Sequence, residues 1–302
     1  MHCKLTLIKF NLAAFREAAI RNKTIVALRA ASLASLLVLS GPAKAAALKS
    51  EAARGFDRYV RLTEERVRTE LQPGAAFLWV DGLPEARRLH AHSELQHGTV
   101  VMERLETRDA AGPTQTPGAM IHHWIGTVFI PGASLQQVLT LLQDYDYHSI
   151  YYSPEVTKSK TLERTGDDFT IQYRLTQTKI VTVVLDTDFE VHYERLGAVH
   201  AQSRSYSTRI VEIEHPGASN ERALPAGNDD GFLWRLNSYW RFSEPDHGVY
   251  VQCEAISLTR NIPTGLNWLI GPFIESIPRE SLEFTLRSTR AAVLGGGLHG
   301  SR

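Results

Sequence analysis

Two stretches late in the chain, residues 231–243 (GFLWRLNSYWRFS) and 248–261 (GVYVQCEAISLTRN), alternate apolar and polar side chains. That two-residue period belongs to a strand. The rhythm then changes abruptly to 3.6 over residues 263–293 (PTGLNWLIGPFIESIPRESLEFTLRSTRAAV). Leu266, Leu269, Ile270, Phe273, Ile274 and Ile277 form one stripe, continued by Leu282, Leu286 and Val293. The pattern predicts an antiparallel pair running into a long amphipathic helix. Pro272 and Pro278 each remove a backbone donor, so kinks or a break are expected there.

Upstream, a strand is predicted over 121–130 (IHHWIGTVFI), closed by Pro131-Gly132. Ser134 then caps a short helix whose stripe is Leu135, Val138, Leu139, Leu141 and Leu142. A Tyr-rich connection over 146–154 leads to strands over 156–164, 168–176, 179–195 and 199–214. A polar Pro/Gly-rich loop spans 215–230. Before this core, residues 46–71 read as a helix, with Phe56, Tyr59, Val60, Thr63, Val67 and Leu71 on one face. Residues 75–95 show no clear period, 98–107 alternate weakly, and 109–118 have the composition of a loop. Strands longer than ten residues imply a strongly curved sheet.

Simple alternation divides each strand into two faces. Val181, Val183, Leu185, Phe189 and Val191 oppose Thr182, Asp186, Asp188, Glu190 and His192. Trp234, Leu236, Ser238, Trp240 and Phe242 oppose Arg235, Asn237, Tyr239 and Arg241. Most of the charged set belongs to the solvent face. Two charges break the rule. Arg209 falls in a row with Ser203, Ser205, Ser207, Val211 and Ile213, and Glu254 in one with Tyr250, Ile256 and Leu258. A charge in an apolar row needs a partner, which is either a ligand's polar head or an ion pair at a sheet edge. Arg204 and Arg260 are weaker candidates of the same kind.

This order of elements, together with the stretch RNIPTGLNWLIGPFIESIPRESLEFTLRSTR, resembles the START and Bet v 1-like (SRPBCC) superfamily over about residues 120–293, and most of all bacterial START-like proteins of unassigned role. The resemblance implies an α+β helix-grip fold, a curved antiparallel sheet wrapped around a long C-terminal helix, here with an N-terminal helical extension. It also implies a cavity between sheet and helix for a lipid or other apolar small molecule. The superfamily shares no catalytic motif, so no catalytic residue carries over. The candidate ligand residues are Arg209, Glu254, Tyr147, Tyr151, Trp240, Trp268, Leu269, Phe273 and Ile277. Tyr145, Tyr147, Tyr151 and Tyr152 stand where this architecture places the pocket mouth, and Trp268 suits a gate or a transient membrane contact. Ordinary core packing explains the same apolar stripe and the same tyrosines.

Charge and export refine the picture. Residues 1–45 hold seven of the 33 Lys/Arg and one of the 33 Asp/Glu, leaving the remainder near −6. Nucleic acid, which demands a basic face, is excluded as a partner. Arg21 and Lys23, the apolar run 30–39 and Ala43-Lys44-Ala45 fit a signal peptide over 1–45, with an uncleaved anchor as the alternative. The expected product is exported, periplasmic or secreted, with an extension over 46–119, a helix-grip domain over 120–295 and a disordered tail over 296–302. Cleavage would leave Cys253 alone, a packed thiol rather than half of a disulfide. His90, His92 and His97 lack a third ligand at metal spacing, and the adjacent His122 and His123 point to opposite faces, so neither a metal nor a cofactor is expected. No nucleophile–base pair marks a catalytic centre. A non-catalytic carrier is therefore the leading expectation. A cyclase or aromatase-type enzyme using Glu254, Arg209 or a tyrosine is an alternative, and an envelope interaction module without a ligand is another.

Overall fold

The two alternating stretches pair with each other and with the first long strand. β4 (Ala119–Pro131) pairs with β11 (Gly248–Arg260), and β11 with β10 (Arg235–Ser243). The computed structural model describes residues 48–109, 112–179, 182–225, 228–245, 247–261 and 267–296, with the backbone alone for 109 and 267–275. The compact unit Ala45–Arg302 contains them all.

In chain order the described elements begin with α1 (Ser50–Glu70), a 3-10 turn (Trp79–Gly82) and α2 (Glu85–Gln96). The short strands β1 (Val101–Arg104), β2 (Arg108–Asp109) and β3 (Gly112–Pro113) precede β4. Then come α3 (Leu135–Gln143), a second 3-10 turn (Tyr145–Tyr147) and α4 (His148–Tyr151). The meander β5 (Val156–Thr165), β6 (Asp168–Thr178), β7 (Thr182–Arg195), β8 (His200–Glu214) follows, with β9 (Arg222–Ala223), β10 and β11 after it. The final element is α5 (Asn267–Leu294).

Strand order in the antiparallel sheet is β1-β4-β11-β10-β8-β7-β6-β5, with β9 beside β8. The chain leaves β4, crosses through α3 and α4 to the far edge, and returns strand by strand to β4. The fold is α+β helix-grip. α5 and α3 lie on one face, here called inner. There Leu282 and Leu286 of α5 share a core with Val128 and Ile130 of β4, Phe242 of β10, Val249 and Val251 of β11, and Phe169 and Ile171 of distant β6. Burying each such side chain contributes roughly 1.5–3 kcal/mol. Ser134 caps α3 as its sequence predicts, in a reciprocal box with Gln137.

The outer face is partly covered by the N-terminal extension. Ala52, Phe56 and Tyr59 of α1 pack on Ala119, Trp234, Tyr239, Ile256 and Leu258. Leu78, Val80, Ala91 and Leu95 cover Phe129 and Tyr250. Three expectations change here. α5 runs unbroken across Pro272 and Pro278, the rest of its ladder tolerating two missing donors. Residues 85–96, without a clear period in the sequence, are helical, and the 109–118 loop contributes to a two-residue ladder. The predicted signal segment 1–45 lies outside the described residues, as does all but Gly296 of the predicted tail.

Candidate functional site

The register divides the inner face into a closed and a half-open part. At the closed end, α3 and the C-terminal half of α5 seal Val128, Ile130, Phe242, Val249 and Val251 from solvent. Further along the same rows, Trp124, Leu236, Trp240, Ala255 and Tyr173 pack against that core yet stay only half-buried. Ser205, Ser207 and Ser238 lie among them and are also half-buried. These apolar and hydroxyl side chains make a half-covered strip along the inner sheet, here called the groove. Cys253 faces it from β11 as a free, buried thiol, and burial holds that thiol well above its ordinary pKa.

A cluster of buried aromatic and polar side chains forms the groove's end wall. The His148 Nε2–H donates to the Leu141 carbonyl at 3.3 Å, which leaves Nδ1 to accept the Tyr173 hydroxyl at 2.6 Å. The Tyr145 and Tyr193 hydroxyls meet at 2.8 Å, and the Tyr152 and Thr289 hydroxyls at 2.9 Å, tying α4 to α5. Burial pushes His148 down to about 4. Burial, then the charge of Arg104, does the same to His122, which bonds Thr259 at 2.9 Å.

These two histidines give the protein an expected pH response. Their folded pKa values lie below the ordinary 6.5, so their contribution to stability is complete above pH 6.5. It is lost as pH falls from 6.5 towards 4, because the unfolded chain takes up protons that the folded one refuses. Urea midpoints measured at intervals from pH 7.5 to 4.5 should fall through that window, less steeply in His148→Gln. A flat profile would contradict the buried neutral state.

Arg209 does not face the groove. A β-bulge between β7 and β8 sets Asp188 opposite Arg209 but Phe189 opposite Ser207. Opposed residues share a face, so Ser203, Ser205 and Ser207 point inward and Arg209 outward. Arg209 is exposed there, 3.6 Å from Asp188. Glu254 also points outward. Its carboxylate accepts from His123 Nε2 at 2.7 Å and from Arg66 of α1. The Tyr59 hydroxyl stands 2.8 Å from His123 Nδ1 and accepts the Thr107 N–H, fitting the Nε2–H tautomer. Arg66 and Arg241 both reach Glu70, at 2.5 and 2.7 Å. The hydroxyls of Tyr206 and Tyr239 donate to Glu64. Glu254 is thus the centre of the seat for α1, and its apolar row belongs to the face under that helix.

The other candidates fall into two groups. Trp240 lines the groove, its ring stacked on Phe242 at 6.2 Å between centroids. Tyr151 is half-buried and donates to Asp144 at 3.2 Å, while Tyr147 is 38% exposed and stacks against Tyr151. Ile277 is half-buried on α5. The side chains of Trp268, Leu269 and Phe273 lie outside the described residues. Alternation alone missed Tyr173, His148 and the serines; the row LSW at 236, 238 and 240 was the available signal. Among the described residues, no group of three His, Cys, Asp or Glu is placed to hold a metal ion.

No protein-family model and no curated protein matches the chain. Solved structures do. A STAR-related lipid transfer protein from Xanthomonas axonopodis is 17% identical, with 63% of this chain and 98% of that one covered at a TM-score of 0.41. Human STARD10 is 12% identical, with 72% and 84% covered and a TM-score of 0.41. The Zhui aromatase/cyclase from Streptomyces sp. R1128 is 10% identical, with 58% and 94% covered and a TM-score of 0.42. The strand order and gripped helix described above make the fold START/Bet v 1-like. Identities this low and TM-scores under 0.5 assign no ligand or activity to this chain.

Proposed function

We propose that the protein binds an apolar small molecule or lipid in the groove between the inner sheet and α5, and carries it without converting it. The observation behind this reading is the half-buried run Trp124, Leu236, Trp240, Ala255 and Tyr173, which continues the sealed core rows. Aromatic and aliphatic surface in that position gains from being covered, and each ligand CH₂ removed from water contributes about 0.8 kcal/mol. The carrier reading is favoured over a cyclase-type enzyme because Glu254 and Arg209, the charged groups such chemistry would use, both face away from the groove. Residues 1–45 are proposed to direct export.

Native mass spectrometry of the full chain purified from a membrane-containing host, followed by organic extraction, tests the reading. A bound apolar species in near-stoichiometric amount is the expected result. An empty protein that also takes up no fluorescent apolar probe would refute it.

A further inference from the structure

Resting on that reading, we infer that the ligand is uncharged and that its polar group, an alcohol or carbonyl oxygen, docks on the paired serines Ser205 and Ser238.

The first support is where the charges are. The inner-facing rows of β4, β11, β10, β8 and β6, and of β7 as far as Tyr193, hold no Lys or Arg; these include Trp124, Ala255, Ser238, Ser205, Leu185 and Tyr173. The bulge that turns Arg209 outward removes the cation that simple alternation would have put there. Residues 262–275, which the sequence places at the start of α5, contain no Lys, Arg or His. Among the described residues, inward cations occur at margins; Lys179, just after β6, is one and is paired with Glu280 of α5. Arg104 on edge strand β1, Arg164 on edge strand β5 and Arg195 beyond Tyr193 are all exposed. A phosphate or carboxylate drawn into the groove would shed its water without a cation to receive it.

The rim discourages anions further. Glu212, in the inner row opposite Leu185, is half-buried and accepts the Asp230 N–H at 3.0 Å. Burial, the largest cause, and the nearby Asp230 and Asp229 raise its pKa.

The second support is a pair of hydroxyls. Ser238 and Ser205 stand directly opposite each other on β10 and β8, half-buried beside Leu236, Trp240 and Ala255. Trp240 Nε1–H donates to Ser238 Oγ at 3.2 Å, so the Ser238 proton is left to donate elsewhere. Ser207 differs: its Oγ accepts the Leu236 backbone N–H at 2.9 Å. Neither the Ser238 nor the Ser205 proton meets an acceptor among the described residues. Two adjacent donors in an apolar wall suit one neutral oxygen.

Binding by the full chain is tested with four probes, read by energy transfer from tryptophan. They are dehydroergosterol (one hydroxyl, no charge), pyrene (no polar group), and pyrene-labelled phosphatidylcholine and phosphatidylglycerol. Dehydroergosterol and pyrene are expected to bind, and both phospholipids at least about tenfold more weakly. The double variant Ser205→Ala/Ser238→Ala should weaken dehydroergosterol about five- to tenfold while leaving pyrene within about twofold, which also shows that the variant is folded. A phospholipid bound as tightly as dehydroergosterol, refusal of dehydroergosterol while pyrene binds, or a double variant that holds the sterol as well as the native chain would each overturn the inference and leave the groove standing. Refusal of all four probes would sink the groove reading itself, and this inference with it.

Discussion

Glu254→Ala is expected to lower the unfolding free energy by about 3–5 kcal/mol, because it leaves buried cationic and polar groups facing an empty space. Glu254 is 2% exposed, and its carboxylate is held by His123 Nε2 and by Arg66, with Arg241 nearby through their shared partner Glu70. Removing it strands His123, which is also 2% exposed, and releases Arg66 from the sheet. Glu254→Gln keeps the shape but not the charge, and should cost about 1–3 kcal/mol. Because Arg66 is on α1, the loss should first loosen the N-terminal helix, uncovering Trp234, Tyr239, Ile256 and Leu258. Hydrogen exchange should therefore rise in residues 50–70 more than in β6 and β7. Burial alone would raise the Glu254 pKa, but the His123 hydrogen bond and the charges of Arg66 and Arg241 outweigh it and hold it below the ordinary 4.5. A depressed carboxyl contributes stability above its unfolded pKa and loses it as pH falls through the folded value. The native protein should accordingly lose stability below about pH 4.5, and the alanine variant should lack that part of the acid limb. A variant with the native denaturation midpoint would show that the network does not hold α1.

The outer seat of α1 illustrates how far the residues alone could be read. The switch from period two to period 3.6 located β10, β11 and α5, because one buried face leaves a strong periodic mark on long elements. α2 left none: in EARRLHAHSELQ only Ala91 and Leu95 are buried, too few for a stripe. The need of Glu254 for a partner was legible, since a carboxylate among Tyr250, Ile256 and Leu258 cannot stay unpaired. Its partners were not, because Arg66 lies 188 residues away and alternation fixes two faces without saying which one α5 takes. Arg209 failed for a different reason. One extra residue in β8 inverts every later side chain, and nothing in SYSTRIV marks a bulge. The groove followed from its rows once the register was known. The half-buried state of Trp124, Leu236 and Ser238 is a property of packing across four strands, which no single strand's pattern contains.

The grip on α5 yields the second large effect. Leu286 is fully buried, and Gly126 of β4 lies directly beneath it: a Cβ at Gly126 would stand 2.7 Å from Leu286 Cδ1 and 3.2 Å from Met102 Cγ. Glycine is needed here for close approach, since its φ is not in the left-handed region. Leu286→Ala should cost about 2–5 kcal/mol, through lost transfer energy and the cavity it leaves between helix and sheet. Gly126→Ala should cost about 1–3 kcal/mol for the opposite reason, because the sealed Leu286 side chain has no open space to move into. The two changes meet at one point, so they should not add. In the Leu286→Ala background the new methyl at position 126 enters the vacated volume, and Gly126→Ala should become neutral or mildly stabilising. Urea unfolding of the four proteins gives the coupling directly, expected at about 1–3 kcal/mol. A coupling near zero would mean that α5 does not rest on Gly126. The C-terminal half of the helix could then not serve as the fixed wall that keeps the closed end of the inner face dry.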